Sequence, residues 1–261
     1  MEIETKNSPV SSATVEDVKS TNIAVDIQHL KKSFGNNSVL KDINLTLARG
    51  ENLVVLGKSG SGKSVLIKCI IGLIEPDEGT LLVLDKNIAK LKNKSLNDLR
   101  KKVGFLFQSG ALYDSMTVRE NLEFPLREIH TINEAERDSL VKEALENVGL
   151  LEAIDVMPSE LSGGMRKRVG VARTLILKPE IMLYDEPTTG LDPITSKEIS
   201  HLIVDVQKKY KTSSIIITHD IACAKITADR IIVIQDGACI AEGTFDELLK
   251  SKDPWVHSFF E

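Results

Sequence analysis

Residues 53–64 read Leu-Val-Val-Leu-Gly-Lys-Ser-Gly-Ser-Gly-Lys-Ser. The first four residues are apolar and predict a short buried strand, and residues 63–73 predict a helix. A glycine-rich turn between a strand and a helix can direct successive backbone N–H groups at a phosphate, next to the positive end of the helix. The stretch therefore predicts a phosphate-binding loop in an α/β fold. Lys63 would place a positive charge near the β and γ phosphates of a nucleotide, and the Ser64 hydroxyl would bind Mg²⁺.

An apolar strand at 181–184 ends in two carboxylates, Asp185 and Glu186. Two acids after a strand are commonly no more than a solvated strand end. Downstream of a phosphate-binding loop, however, they predict catalysis, because water attacks poorly unless a neighbouring group aligns it. Asp185 would hold Mg²⁺ through water, and Glu186 would orient or deprotonate the attacking water.

A second glycine-rich element, Leu161-Ser162-Gly163-Gly164-Met165, begins a predicted helix at 163–177. A serine and two glycines at a helix start suit an anion, because the first N–H groups of a helix lack partners. An ordinary N-cap is the alternative for Ser-Gly-Gly alone. The basic run 166–168 predicts a solvated helix face. Further upstream, Thr131 and Glu134 have the spacing of a capping box and predict that a helix begins there.

The composition narrows the class of protein. Lys and Arg number 33 against 38 Asp and Glu, and this net charge of −5 argues against a nucleic-acid partner. The three cysteines are scattered and predict neither a disulfide framework nor a metal site. No apolar run reaches the roughly 18 residues that span a bilayer, and the N-terminus lacks a signal-peptide pattern. We therefore expect a cytoplasmic chain that reaches a membrane only through a partner.

The phosphate-binding loop, the Ser-Gly-Gly element and the carboxylate pair, in this order, resemble the nucleotide-binding subunit of an ABC transporter over roughly residues 23–250. The resemblance implies an α/β fold: a P-loop NTPase core with an N-terminal antiparallel β subdomain and an inserted helical subdomain at about 95–160. We expect residues 1–22 to be a disordered tail and residues 251–261 a helical end. The resemblance also implies hydrolysis of ATP with Mg²⁺, a homodimer whose two sites are shared head to tail, and a separate membrane permease.

The resemblance implies roles for individual side chains. Glu186, His219 and Gln108 would be catalytic, with His219 contacting the γ phosphate, while Ser64, Gln108 and Asp185 would hold Mg²⁺. The residues implied to contact ATP in the same subunit are Phe34, Gly57, Lys58, Ser59, Gly60, Ser61, Gly62, Lys63, Ser64 and Val65. The residues implied to contact the ATP of the other subunit are Ser162, Gly163, Gly164 and Asp192.

Two of these assignments keep an alternative. Phe34 would stack on adenine, where stacking on a base contributes about 1–3 kcal/mol, but a core aromatic at a strand end is the other interpretation. Gln108 would belong to the family's glutamine loop, which touches Mg²⁺ or water, although a lone glutamine is normally a surface residue.

Residues 104–118, the tripeptide 124–126 and the Met-Arg-Lys-Arg end of the Ser-Gly-Gly element are similar to the ATPases of Mla-type lipid transporters. This similarity implies transport of phospholipid between bacterial membranes with a permease and an MCE-domain lipid-binding protein. The chain would lie peripherally on the inner membrane, with the permease docked near the glutamine loop and the helical subdomain. The residues expected to line an apolar docking groove, or else the subdomain core, are Leu112, Tyr113, Phe124 and Leu126. The alternatives are the ATPase of a small-solute importer such as one for amino acids, a soluble non-transport ABC ATPase, and a P-loop kinase.

Overall fold

The computed structural model describes residues 22–127 and 132–260. The predicted N-terminal tail therefore lies outside the described residues, apart from Asn22. Within the described ranges, no helix is both long and apolar enough to cross a membrane.

The described strands form one mixed sheet in the order β5-β4-β1-β2-β10-β9-β3-β8-β7-β6. Their bounds are β1 Ile23–Phe34, β2 Asn37–Ala48, β3 Asn52–Leu56, β4 Glu78–Val83, β5 Lys86–Asn87, β6 Val103–Leu106, β7 Ile181–Asp185, β8 Ser213–Thr218, β9 Arg230–Gln235 and β10 Ala238–Gly243.

Helices cover both faces of the sheet. Their bounds are α1 Lys63–Ile70, α2 Asn93–Arg100, α3 Val118–Glu123, α4 Glu134–Glu146, α5 Gly163–Leu175, α6 Pro193–Tyr210, α7 Ile221–Thr227, α8 Phe245–Leu249 and α9 Pro254–His257. Short 3-10 turns occupy Ile88–Lys90, Phe124–Leu126, Leu151–Ala153 and Pro158–Glu160.

The centre of the sheet is parallel. Strand β3 pairs with β8 and β9, β8 pairs with β7, and β7 pairs with β6, all in parallel register. The carboxyl ends of these strands therefore meet at one edge, where open α/β sheets bind their ligands. The segments that leave this edge carry the phosphate-binding loop, Gln108, Glu186 and His219.

Strand β3 is buried on both faces of the sheet, which explains its continuous run of apolar residues. All five of its residues are buried. Val54 and Leu56 belong to one hydrophobic core, and Leu53 and Val55 to a second core. Because successive side chains point to opposite faces of a sheet, two cores on two faces require successive apolar residues, here at 53–56.

An antiparallel unit lies beside the parallel strands, as predicted. Strand β1 pairs antiparallel with both β2 and β4, and β4 pairs antiparallel with β5. Asp236 and Gly237 connect β9 and β10, with φ of 46° and 80°, the positive values that a tight hairpin turn needs. The fold class is thus the predicted one, an α/β core with an antiparallel β unit.

Two local expectations differ from the structure. Helix α4 begins at Glu134, and its N-cap is Asn133, whose side chain accepts a hydrogen bond from the Glu136 N–H at 2.9 Å. The predicted Thr131–Glu134 capping box is therefore wrong in register, and Thr131 itself lies outside the described residues. The sequence predicts a strand at 103–106, and β6 forms there. It lies within the range of about 95–160 expected to be the helical subdomain, yet it forms an edge of the main sheet.

Candidate nucleotide-hydrolysis site

The phosphate-binding loop depends on glycine at two positions. Gly60 has φ of 84° and Gly62 has φ of 100°, in the left-handed region that side chains disfavour. A Cβ at Gly62 would lie 2.8 Å from Leu40 Cδ2 and 2.9 Å from the Val39 carbonyl oxygen. Helix α1 begins directly after Gly62, so its free N–H groups face the inside of the loop.

Lys63 is buried inside this loop. Its Nζ donates hydrogen bonds to the carbonyl oxygens of Gly57 at 2.7 Å and Lys58 at 3.1 Å. Burial lowers the pKa of the Lys63 ammonium, and the nearby carboxylates of Glu186 and Asp185 raise it. Glu186 Oε1 lies 3.8 Å from Nζ. The loop therefore holds a cation in a dry position, which suits a phosphate anion.

Ser64 and Asp185 face each other across the mouth of the loop. The Ser64 hydroxyl donates to Asp185 Oδ1 at 3.1 Å. Asp185 is buried, and this desolvation raises the pKa of its carboxyl, an effect opposed by the Ser64 hydrogen bond. A hydroxyl and a carboxylate beside a phosphate site are the hard oxygen ligands that Mg²⁺ prefers. The residues present therefore fit a magnesium ion held together with nucleotide phosphates.

Glu186 is held in an uncommon backbone conformation, with φ of 51°. Its N–H donates to the Ile217 carbonyl oxygen at 2.9 Å. Its Oε2 accepts a hydrogen bond from the Thr189 hydroxyl at 3.2 Å and lies 2.8 Å from His219 Nδ1. A non-glycine residue at positive φ costs about 1–3 kcal/mol and persists where surrounding contacts enforce it, which is common at functional sites.

Of these groups, Lys63, Ser64 and Glu186 line one cleft of about 320 Å³, and Asp185 adjoins it through its hydrogen bond with Ser64. The residues that line the cleft are Val39, Ser59, Gly60, Gly62, Lys63, Ser64, Val65, Gln108, Glu186, Thr189 and His219. The structure thus brings the predicted loop together with Glu186 after β7, His219 after β8 and Gln108 after β6. Val39 and Thr189 were not predicted from the sequence, and no motif pointed to either.

The Ser-Gly-Gly element does not line this cleft. Ser162 is exposed and caps α5, with its Oγ accepting from the Met165 N–H at 3.2 Å. Asp192 caps α6 by accepting from the N–H groups of Ile194 and Thr195. The two helix starts are in contact, because a Cβ at Gly164 would collide with Thr195 Cγ2. Within one chain, Ser162 and Asp192 are exposed and Gly163 is half-buried, so these three can face another molecule, whereas Gly164 is buried against α6.

Phe34 also lies outside the cleft. It ends β1 with 49% of its surface exposed, and the Lys32 ammonium group lies 5.5 Å from its ring centroid. Its exposure excludes the interpretation that it is a core aromatic. Lys58 of the loop approaches the Trp255 ring in α9, at 5.6 Å from the ring centroid.

The structure corrects the prediction that the basic run 166–168 forms a solvated helix face. Lys167 is not part of a solvated face, because only 5% of its surface is exposed. Its Nζ donates to the carbonyl oxygens of Gln108 and Glu186. The periodicity of α5 would have revealed this position, since Lys167 lies three residues before Gly170 and four before Val171, both buried, and shares their helix face.

Comparison with known families identifies the architecture. Residues 40–189 match the family described as ABC transporter. The chain belongs to this family. The match covers more than half of the chain and includes the loop, the Ser-Gly-Gly element and the carboxylate pair, so this ABC ATPase hydrolyses ATP as the energising subunit of a transporter.

Relatives share the cassette but differ in cargo. The chain is 39% identical to a probable ribonucleotide transport ATP-binding protein, mkl, of Mycobacterium leprae, over 91% of this chain and 68% of the relative. It is 37% identical to the intermembrane phospholipid transport ATP-binding protein MlaF of Haemophilus influenzae, over 91% and 90%. It is 38% identical to the methionine import ATP-binding protein MetN of Clostridioides difficile, over 86% and 70%.

A solved structure supports the fold and shows a cassette of this family as a dimer. The ATP-binding cassette MJ0796, in a dimeric post-hydrolysis state bound to ADP and phosphate, superposes with a TM-score of 0.77 at 32% identity. The overlap covers 85% of this chain and 98% of that one. ABC ATPase cassettes form dimers and work with membrane permeases, so this subunit acts as part of a larger assembly.

Proposed function

We propose that this chain energises transport of phospholipid between bacterial membranes, with a separate permease and an MCE-domain lipid-binding protein. The observation that carries the proposal is the similarity to MlaF over about nine tenths of both chains. Residues 104–118, which include the glutamine loop, and residues 124–126 agree with it because of their similarity to Mla-type ATPases. The chain would lie on the inner membrane through the permease.

For the chemistry, we propose that Lys63 and the N–H groups of its loop bind the β and γ phosphates of ATP. Ser64, Asp185 and Gln108 would hold Mg²⁺, which supplies positive charge beside the phosphates. Glu186 would align the attacking water and take its proton, since its carboxylate borders the cleft beside Lys63. Charge spreads over the phosphoryl oxygens in the transition state, so these fixed cations lower the barrier.

His219 and Thr189 support this role of Glu186. Both contact its Oε2, from the ends of different segments. A carboxylate held by two hydrogen bonds loses less freedom when it binds water, which is the advantage of a preorganised site. His219 would also contact the γ phosphate, and Phe34 would stack on the adenine.

We propose that Ser162, Gly163, Gly164 and Asp192 complete the cleft of a second copy in a homodimer. Support comes from their position outside their own cleft, at two helix starts in contact with each other, where Ser162 and Asp192 are exposed and Gly164 is buried against α6. The N-terminus of α5 would offer its free N–H groups to the γ phosphate of the other copy.

An exposed aromatic pair is the proposed docking site for the permease. The rings of Tyr113 and Phe124 lie 4.8 Å apart between centroids, and the side chains are 44% and 40% exposed. Leu126, by contrast, is buried in the core, so it serves packing rather than docking. The pair follows the glutamine loop along the chain, which would connect permease movement to the cleft.

The test is a membrane pull-down of the tagged full chain carrying Glu186→Gln, with ATP, followed by mass spectrometry of proteins and lipids. We expect a multi-pass permease, an MCE-domain protein and phospholipid. Phe124→Asp should abolish recovery of the permease without reducing ATP hydrolysis by the chain alone. The matched control is Ile240→Asp, at an equally exposed apolar residue (40%) on β10.

A small-solute importer is the second candidate, favoured by the nearly equal identity to MetN. It predicts that the pull-down recovers a permease without an MCE-domain protein or phospholipid. Recovery of soluble proteins alone would contradict both transport proposals.

A further inference from the structure

A single buried amine links three parts of the site. Lys167 projects from α5 towards the sheet, and its Nζ donates to the Gln108 carbonyl oxygen and, at 3.3 Å, to the Glu186 carbonyl oxygen. These two residues follow the adjacent parallel strands β6 and β7. The helix that begins with the Ser-Gly-Gly element is therefore connected to the glutamine loop and to the carboxylate strand through one side chain.

The contact with Glu186 bears on the direction of its carboxylate. Glu186 stands at φ of 51°, and its N–H is fixed by the Ile217 carbonyl oxygen. On the other side of the residue, Lys167 donates to the Glu186 carbonyl oxygen. With both peptide groups held, the side chain leaves the backbone towards Lys63, Thr189 and His219.

The contact with Gln108 is one of several that seat the glutamine loop on α5. Arg173 donates to the carbonyl oxygens of Ala111, at 2.8 Å, and Gly110, at 3.3 Å. A Cβ at Gly170 would lie 3.3 Å from the Gly110 carbonyl oxygen, so the helix and the loop are closely packed. Of these contacts, the one from Lys167 alone also reaches the carboxylate strand.

The neighbouring basic residues do different work. Arg166 donates to the Leu161 carbonyl oxygen, and Arg168 pairs with Glu198 and the Val148 carbonyl oxygen. Burial lowers the pKa of Lys167, while Asp185 and Glu186 raise it. Placing an amine in this dry position costs free energy of folding, which indicates a function beyond solubility.

We propose that Lys167 is a positioning residue for ATP hydrolysis, which holds the Gln108 loop and the Glu186 backbone in one arrangement. The proposal rests on the roles proposed above for Gln108 and Glu186. Because Lys167 belongs to the helix that would contact the other subunit's ATP, closure of a dimer would act on both groups together.

The test compares Lys167→Met with the matched control Arg168→Met in the full chain. The methionine keeps the apolar stem and removes the donors. We expect Lys167→Met to lower kcat on the order of 10- to 100-fold, because displacing a catalytic group by about 1 Å costs up to about 100-fold. The KM and Kd for ATP should change by less than about threefold, as for a group that acts only in the transition state. Arg168→Met should leave kcat and KM near those of the unmodified chain.

A double variant tests whether the effect runs through the glutamine loop. In a chain that already carries Gln108→Ala, adding Lys167→Met should lower kcat by a smaller factor than it does alone, since residues in one network are not additive. Equal factors in both backgrounds would contradict the proposal, as would an unchanged kcat or a loss of ATP binding with kcat retained.

Thermal unfolding and a third variant keep these outcomes separate. If Lys167→Met does not fold, Lys167→Gln retains a donor of shorter reach and should show the same kcat loss. Glu186→Gln in the same assay separates the two levels of proposal. If Glu186→Gln hydrolyses ATP at the normal rate, the proposed role of Glu186 is wrong. If Glu186→Gln loses hydrolysis but Lys167→Met does not, only the proposed role of Lys167 is wrong.

Discussion

At the scale of single residues, the proposed mechanism of hydrolysis depends most on Glu186. Its carboxylate borders the cleft with Lys63 on one side and His219 on the other, and its backbone is held at positive φ. The sequence indicated this role only because the acid follows a strand downstream of a phosphate-binding loop. Thr189 lies only three residues further along the chain, but no motif pointed to its contact. The contacts with His219 and Lys167 come from another strand end and from α5, so the local sequence around Glu186 could not predict them.

Replacing Glu186 by Gln should retain ATP binding and lower the rate of hydrolysis by about 100-fold or more, because the amide cannot take a proton from water. Phosphate release and equilibrium binding of ATP measure the two properties separately. Thr189→Val is the matched comparison, because it removes one hydrogen bond to the carboxylate and should cause a much smaller loss. Hydrolysis at the unmodified rate by Glu186→Gln would refute its role as the base.

Tyr184 lies beside the two acids proposed for the site, and its hydroxyl offers a test of how this strand is packed. It is fully buried on β7, and its hydroxyl has no hydrogen-bond partner among the described residues. Burial raises the pKa of this phenol, which keeps it neutral. Because an unpaired buried hydroxyl costs about 1–3 kcal/mol, Tyr184→Phe should leave Tm unchanged or raise it by several degrees.

Tyr210→Phe is the control for this measurement. The Tyr210 hydroxyl is hydrogen-bonded to Asn147, so its loss should lower Tm. A fall in Tm for Tyr184→Phe of similar size would show that the Tyr184 hydroxyl is paired in solution.

At the scale of elements, the contact between α5 and α6 decides how the Ser-Gly-Gly element is presented. Gly164 packs directly against the Thr195 methyl group, and Thr195 in turn donates its hydroxyl to Asp192 Oδ2 at 2.6 Å. A glycine here is needed for the close approach of two helices, not for backbone freedom.

Gly164→Ala should therefore lower Tm, because the new Cβ would collide with Thr195 Cγ2, so that the Thr195 side chain or the helices must shift. Overpacking of this kind typically costs about 1–3 kcal/mol. Adding Thr195→Ser removes the methyl group but keeps the hydroxyl, so the double variant should recover most of the lost Tm. Gly163→Ala is the control, since its Cβ would lie 3.2 Å from a Leu191 methyl group, which can yield. A double variant no more stable than Gly164→Ala would contradict this packing.

The elements themselves were predictable to different degrees. The strand β3, its loop and helix α1 followed from the run at 53–64, because burial on both faces demands continuous apolar residues. The start of α4 did not, since asparagine and threonine are both good N-cap residues and the local sequence does not choose between positions 133 and 131. Strand β6 was identified from its sequence, but its place in the main sheet depends on pairing with β7, which is distant in the chain.

At the scale of the whole molecule, one chain forms the proposed cleft, but the Ser-Gly-Gly element of the proposed site lies outside that cleft. The loop, Glu186 and His219 line one cleft at the carboxyl edge of the sheet, and Asp185 adjoins it through its hydrogen bond with Ser64. The Ser-Gly-Gly element and Asp192 lie at exposed helix starts elsewhere. Sequence order could not show this separation, because it depends on how α5 and α6 lie across the sheet. A split site explains why the cassette would work as a dimer.

The most direct measurement is the mass in solution, by light scattering, of the Glu186→Gln chain with saturating ATP. We predict a doubling of the 28.8 kDa mass of one chain, reversed by removal of ATP. Adding Ser162→Arg should keep the mass at that of a single chain, with ATP affinity unchanged, because the arginine blocks contact with the other copy's nucleotide. A Glu186→Gln chain that stays single with ATP bound, or a doubled mass that survives Ser162→Arg, would contradict the split site.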